Sequence, residues 1–318
     1  MSLLDASGFP IVGPGTPYIN PAILVEAPTG ISWATLPAPK ASPAQQLAAQ
    51  QNICVRATGM VEEFCNQPLR ATIDIEELQG PGTFRVQNQT NTGITRLLMS
   101  RGPVTAIIGG QYSAAAAFPP QWQAIAANQF RPEVTMLGIY GTTAPGASAG
   151  GGQAILLAPG WASWAFGRQN ALIQVTYQTG WPHGSLTESA AEGDSSVSVD
   201  DITGWLGAVG TMYGGAQQET VLATAVTPTV AGAISGPGVL TLPVPLSFAH
   251  QAGEIVTTLP AAVMQATILF ATVQALTRGA TSTAVQSLSG GVNSGGGLSP
   301  TALTDAAKDL IRPFKRRI

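Results

Sequence analysis

Hydrophobic and polar positions along the chain follow two different periods. A helical period comes first, from Ser42 to Cys65. There Leu47, Cys54 and Val61 recur every seven residues with Ala57 and Phe64 alongside, giving one apolar stripe. Ser42 followed by Pro43 supplies an N-cap and a first-turn proline, while Asn66 and Pro68 stop the helix. Gly59 inside it costs roughly 1 kcal/mol relative to Ala, so packing rather than propensity must hold this segment. A second helix is predicted from Pro260 to about Thr277, with Val263, Ala266, Phe270, Val273 and Leu276 along one side and Gly279 as its C-cap. Ser299-Pro300 starts a third, carrying Leu303, Ala307, Leu310 and Ile311 on one face.

Elsewhere the period is two. Ile73 and Ile75 alternate with acidic partners between Ala71 and Leu78, Gln79-Gly80-Pro81-Gly82 reads as a turn, and Thr83 to Gln87 reads as the returning strand. Arg96 to Met99 and Val104 to Ile108 are further short strands hinged at Gly102-Pro103. Ala154 to Leu157 and Ala171 to Tyr177 bracket Gly160, Trp161 and Trp164 as a strand–turn–strand unit. Between 186 and 258 the character changes. Val197 and Val199 alternate with serines, and Glu219 to Val226 and Val239 to Leu246 are rich in Val, Thr and Leu with Gly and Pro between them. This stretch reads as a small all-β module.

These elements give an expected α+β organisation. An extended arm with seven prolines covers 1–40, a core covers 41–185 plus 259–288, and the β module is inserted at 186–258. A Ser/Gly linker with a terminal helix and basic tail covers 289–318. The long helices near 42–65, 260–277 and 299–311 are expected to form the centre, with β-hairpin strands as additions.

Composition changes the picture in one respect. Only 10% of the 318 residues are charged and the net charge is −3, so no global basic field draws the chain to nucleic acid or membrane. The surface must be covered by Thr, Ser, Gln and Asn, and such a surface is buried against neighbouring subunits at small electrostatic cost. The balance leans towards an assembled protein. No secretion signal is expected in MSLLDASGFPIVGPG, and Ala261 to Leu276 is too short to span a bilayer. Cys54 and Cys65, about 16 Å apart along one helix, are too distant for a disulfide, so a reduced cytosolic setting is expected. Asn88-Gln89-Thr90 spells a glycosylation acceptor, idle without secretion.

Candidate chemistry is sparse. His183 and His250 make no pattern with the cysteines, and the sequence holds no CxxC, HExxH, phosphate-binding lysine loop or EF-hand loop. Gly146-Ala147-Ser148-Ala149-Gly150 matches the nucleophile-elbow spacing but lacks the strand and helix that such a motif needs. Adjacent carboxylates at Glu62-Glu63 and Asp200-Asp201 point in different directions and share no proton. No catalytic, cofactor-binding or metal-binding residue is assigned, and the chain is not expected to be an enzyme. The basic tail, Arg312, Lys315, Arg316 and Arg317 with Phe314 among them, leaves two readings open. Cations complement the helix dipole, or they dock onto an acidic partner or DNA phosphates.

Several motifs together resemble the head–tail adaptor (head-completion connector) proteins of long-tailed bacteriophages. They are Val61-Glu62-Glu63-Phe64-Cys65-Asn66-Gln67-Pro68, Leu97-Leu98-Met99-Ser100-Arg101-Gly102-Pro103-Val104, and Gly160-Trp161-Ala162-Ser163-Trp164. Val175-Thr176-Tyr177-Gln178-Thr179-Gly180-Trp181-Pro182 and Pro260-Ala261-Ala262-Val263 complete the set. The resemblance covers roughly 40–185 and 259–318, with 186–258 as an insertion. It implies a helical adaptor core and a dodecameric ring of copies beneath the portal protein, in the neck of the virion after synthesis in the host cytoplasm. Such a ring receives a stopper or tail-completion protein and passes DNA without reading its sequence. It also implies portal docking by the C-terminal segment, here Leu303, Leu310, Ile311, Arg312, Phe314, Lys315, Arg316 and Arg317. A second expectation, from another class, is a carbohydrate- or receptor-binding surface protein using the β module, for which Trp205, Tyr213 and Phe248 are the available aromatics.

Overall fold

The computed structural model describes residues 15–33, 36, 41–80, 86–89, 94–114, 119–132, 154–157, 171–214, 217–278 and 299–316. Among these residues the architecture is mostly β, with fifteen strands in four antiparallel sheets against four α-helices. This corrects the expected helical core. Helices do form at α2 (Pro43–Cys65), α3 (Ala261–Thr277) and α4 (Pro300–Ile311), joined by a short α1 (Pro21–Glu26) in the arm. They make a minor cluster, because the long stretches between them are Thr-, Val-, Ile- and Gly-rich and pair as sheet. The start of α2 is a complete capping box, Ser42 and Gln45 satisfying each other's backbone N–H.

Two sheets occupy the first half of the chain. One orders β1 (Thr72–Gly80), β8 (Ala171–Thr179), β4 (Val104–Ala114) and β5 (Gln123–Ile125) as β1-β8-β4-β5. The other orders β2 (Val86–Gln89), β3 (Ile94–Leu98), β7 (Ala154–Leu157) and β6 (Phe130–Pro132) as β2-β3-β7-β6. Two expected hairpins are therefore not formed. β1 pairs with β8, Thr72 opposite Thr179, rather than with the strand that follows it. β7 and β8, expected as one unit, lie in different sheets. Alternation marks a strand but not its partner, and here the partners lie far along the chain. Leu78, Leu97, Ile173, Val175 and Tyr177 share one buried cluster.

Residues 183–257 form the other two sheets. β10 (Ser196–Val199), β14 (Gly238–Thr241) and β13 (Ala225–Pro228) run β10-β14-β13, and β12 (Gln217–Leu222), β11 (Val209–Gly214), β15 (Ile255–Thr257) and β9 (His183–Ser185) run β12-β11-β15-β9. This module closes over its own buried cluster, centred on Trp205, Met212, Leu240 and Val256. Seven-residue spacing misplaces one residue of α2. Leu47 is 48% exposed, whereas Ile53, Cys54, Ala57, Val61 and Cys65 are buried. They pack on Val263, Phe270 and Ile311, together with Tyr18, Ile19, Leu24 and Trp33 of the arm. The arm is thus part of the core, and it is helical over α1 rather than extended throughout.

Candidate assembly surface

The C-terminal segment proposed to dock on a partner is docked on its own chain. Ala307 and Ile311 of α4 are fully buried beside α2 and α3. Beyond the helix, Gln67 donates from Nε2 to Phe314 O at 2.8 Å, and Arg316 N donates to Cys65 O at 2.8 Å. Phe314 stands edge-on to Trp181 with centroids 5.5 Å apart, and Lys315 Nζ lies 5.1 Å from the Phe64 ring. Leu303, Phe314 and Arg316 are half-buried, Leu310, Arg312 and Lys315 exposed, and Arg312 pairs with Asp309 at 2.6 Å. Arg317, like Trp161, Trp164, Ser148 and the 289–298 linker, lies outside the described residues. The two cysteines are buried and free, and burial pushes both thiols up to about 12.

A polar junction holds the arm between the helices and the module. Tyr18 donates from its hydroxyl to Glu62 at 2.8 Å and receives the Leu69 N–H at 2.7 Å. Burial, with the Glu62 charge in the same direction, holds its phenol well above the ordinary range. His183 is buried against Tyr18, ring centroids 5.5 Å apart, and its Nε2 donates to Pro17 O at 3.0 Å. Asp200 of the module receives Ser185 N at 2.7 Å, Ser185 Oγ at 3.0 Å and the Thr16 hydroxyl. Arg70, 3.9 Å from Glu62, fills the space at Gly15, where a Cβ would overlap the guanidinium.

Within the module His250 is fully buried between two carboxylates. Its Nδ1 meets Glu254 and its Nε2 meets Glu219, both at 2.7 Å. Gly214 is glycine for a steric reason, since a Cβ there would sit 2.6 Å from Glu254 Oε2. Sequence reasoning found only that His250 makes no pattern with the cysteines, and it missed the clamp. Glu254 four residues on was visible, but Glu219 arrives only through the sheet. Because its two carboxylates take different ring nitrogens, the trio does not converge on one point, and no group of three metal-ligating side chains is found among the described residues.

Much of the module's outer surface beyond Ile202 is aliphatic, whereas Glu188, Glu192 and Asp194 stand exposed on the segment before it. From 202 to 253 the chain has no Asp, Lys or Arg and a single Glu. Within that stretch Leu206 (72% exposed), Val209, Val230, Ile234, Val244 (71%) and Phe248 stand in solvent, whereas Trp205 is fully buried and Tyr213 packs against the helix cluster. A cleft of about 460 Å³ opens between the module and the β4–β8 sheet, lined by Thr105, Gln178, Pro182, Leu206, Val226 and Ile234 among others. No known family, curated protein or solved structure matches the chain.

Proposed function

We propose that the chain is a non-catalytic assembly subunit of a phage particle, a head-to-tail connector that rings the DNA path beneath the portal in the virion neck. One observation carries the assembly reading. Of the thirteen large hydrophobic side chains exposed among the described residues, seven lie between Leu206 and Phe248, in a stretch almost free of charge. Exposed aliphatic surface of that density marks a face that another protein covers. The connector reading is supported by the motif resemblance at Val61–Pro68, Leu97–Val104 and Val175–Pro182. It receives no support from fold class, because the described residues are mostly β rather than built on the helical core that the resemblance implied.

With Ala307 and Ile311 turned inward and Phe314 packed against Trp181, the exposed Leu310, Arg312 and Lys315 are what α4 offers a portal protein. The carbohydrate-binding alternative receives no support, since Trp205 is fully buried, Tyr213 is half-buried against the helix cluster and Phe248 stands alone. Lysine cross-linking mass spectrometry on purified particles tests the connector. Links from Lys308 or Lys315 to another virion polypeptide, with this chain at low copy, are expected. A particle without the chain would refute it.

A further inference from the structure

His250 makes two short contacts that a neutral imidazole cannot satisfy together. Its Nδ1 lies 2.7 Å from Glu254 Oε2 and its Nε2 lies 2.7 Å from Glu219 Oε1. At that separation a proton must sit between each nitrogen and its oxygen, because facing lone pairs repel. A neutral ring carries one such proton and leaves the other contact without one. The second proton belongs to the ring or to a carboxyl group. Glu219 Oε2 accepts the Ser247 N–H at 2.8 Å, and the two glutamate side chains stay 11% and 15% exposed while the ring is fully buried. Water and hydrogen bonds thus favour ionised carboxylates, and two of them favour a positive ring between them.

We infer that His250 is a buried imidazolium and a proton switch: with both ring nitrogens protonated it ties β12 to the 247–254 loop, and loss of one proton in mildly alkaline solution releases that loop. The module has no other cation to offer its acids. From Gln169 to Thr277 the chain holds no Lys or Arg, whereas His183 to Thr257 carries seven Asp and Glu. The other histidine, His183, has a buried Nδ1 with no acceptor for a second proton. Around His250, β12 brings Glu219, β11 (whose Gly214 backs onto the ring) brings Tyr213, and the segment paired to it through Ala190 brings Glu188, Glu192 and Asp194. Burial holds the Tyr213 phenol above its ordinary range, so it stays neutral through the same interval. Losing the proton sets a ring lone pair against a carboxylate oxygen, and that contact opens. Phe248 stands on the loop so released, and the switch does not depend on what covers that side chain.

Glu219→Gln, in the full-length chain, separates the proton from the shape. Its amide oxygen can keep the Ser247 N–H while its Nε2 donates to a neutral His250 Nε2, and the ring's Nδ1–H still reaches Glu254. Every contact is then made with one ring proton. In an open loop the ring loses its second proton near about pH 6.5, so above that value the closed state binds one proton more than the open state. The closed loop is therefore favoured less as pH rises, and opening should become about tenfold easier per pH unit above neutrality. Hydrogen exchange reads this at the His250 and Ala190 amides, which donate to each other's carbonyls at 2.8 and 2.9 Å. Their protection relative to unstructured peptide should fall about tenfold per pH unit in the natural chain and stay constant in Glu219→Gln. Ring-nitrogen NMR on histidine-labelled protein gives a second readout, with His183→Gln supplying the assignment. At about neutral pH both ring nitrogens of His250 should carry protons in the natural chain, and one in Glu219→Gln. An unprotonated ring nitrogen on His250 in the natural chain, or protection that responds equally to pH in both proteins, would overturn the switch.

Discussion

Lowering the pH through the acid range should weaken the junction at His183. The ring donates from Nε2 to Pro17 O, and its Nδ1 is buried with no partner. A second proton would have to sit on that nitrogen, away from water and without an acceptor. Burial, offset only in part by the Pro17 hydrogen bond and the Asp200 charge and aided by Arg70, pushes the imidazole down from 6.5 to about 4. The unfolded chain takes up the same proton near pH 6.5. Between these two values the unfolded state binds more protons than the folded one, so stability falls as pH falls. The contribution is complete above 6.5. At 1.36 kcal/mol per unit, roughly 2 kcal/mol is lost by pH 5, with a ceiling of about 3 kcal/mol below pH 4.

Urea unfolding at about pH 7.5 and pH 5 measures this, provided the titration of other groups is removed by difference. The control is His183→Gln, whose side-chain amide keeps a donor for Pro17 O but cannot be protonated in this range. The natural chain should lose roughly 2 kcal/mol more than the variant between the two conditions. Equal losses in both would refute the reasoning, because the buried Nδ1 would then have found a proton-tolerant setting.

Three further substitutions test other parts of the structure by the same unfolding assay. His250→Leu leaves Glu219 and Glu254, mostly buried carboxylates, without their imidazole partner and should cost about 2–4 kcal/mol, whereas a loss under 1 kcal/mol would show the clamp to be solvated. Gly180→Ala should cost about 2–3 kcal/mol, since its φ is +86° and a Cβ would sit 2.3 Å from Arg70 O; no loss of stability would refute that steric argument. Ile311→Ala should cost about 2–5 kcal/mol and speed amide exchange in 300–316 ahead of the β module; exchange that rises uniformly would show that α4 does not release on its own.

Helix starts were legible because capping is local. Ser42-Pro43 and Ser299-Pro300 each declare an N-cap and a first-turn proline within two residues, and both begin helices. What surrounds those helices was not legible. The pairing of β1 with β8 joins residues nearly a hundred positions apart, and nothing in either strand's alternation names the other. The arm misled for a related reason. Its prolines suggest an extended strap, but Tyr18, Ile19, Leu24 and Trp33 are core residues whose partners lie on α2, α3 and α4. Leu47 was placed in the apolar stripe because the period fits it, yet no residue of the helix is buried before Gln50, so its first turns lie beyond what covers the rest and Leu47 stands in water. The site fared similarly. Low charge across the whole chain was visible at once, whereas the crowding of exposed aliphatic side chains between Leu206 and Phe248 depends on which positions the fold leaves uncovered.

The way the module is attached explains why the arm matters. Two strands of chain enter and leave it, through Trp181-Pro182-His183 and Thr257-Thr258-Leu259, and these run side by side, Thr258 N donating to Pro182 O at 2.8 Å. Two adjacent crossings define an axis, and an axis alone permits rotation. The arm supplies points off that axis. Pro17 O holds His183, the Thr16 hydroxyl holds Asp200, and Tyr18 behind them is fixed to Glu62, Leu69 and Thr58 of the helix cluster. These contacts bring module and helices together through buried polar groups, which are strong only while every member is satisfied. A cleft formed partly by the module and partly by the β4–β8 sheet keeps its shape only if that angle is fixed. Acid that loosens the junction at His183 should therefore loosen the cleft as well.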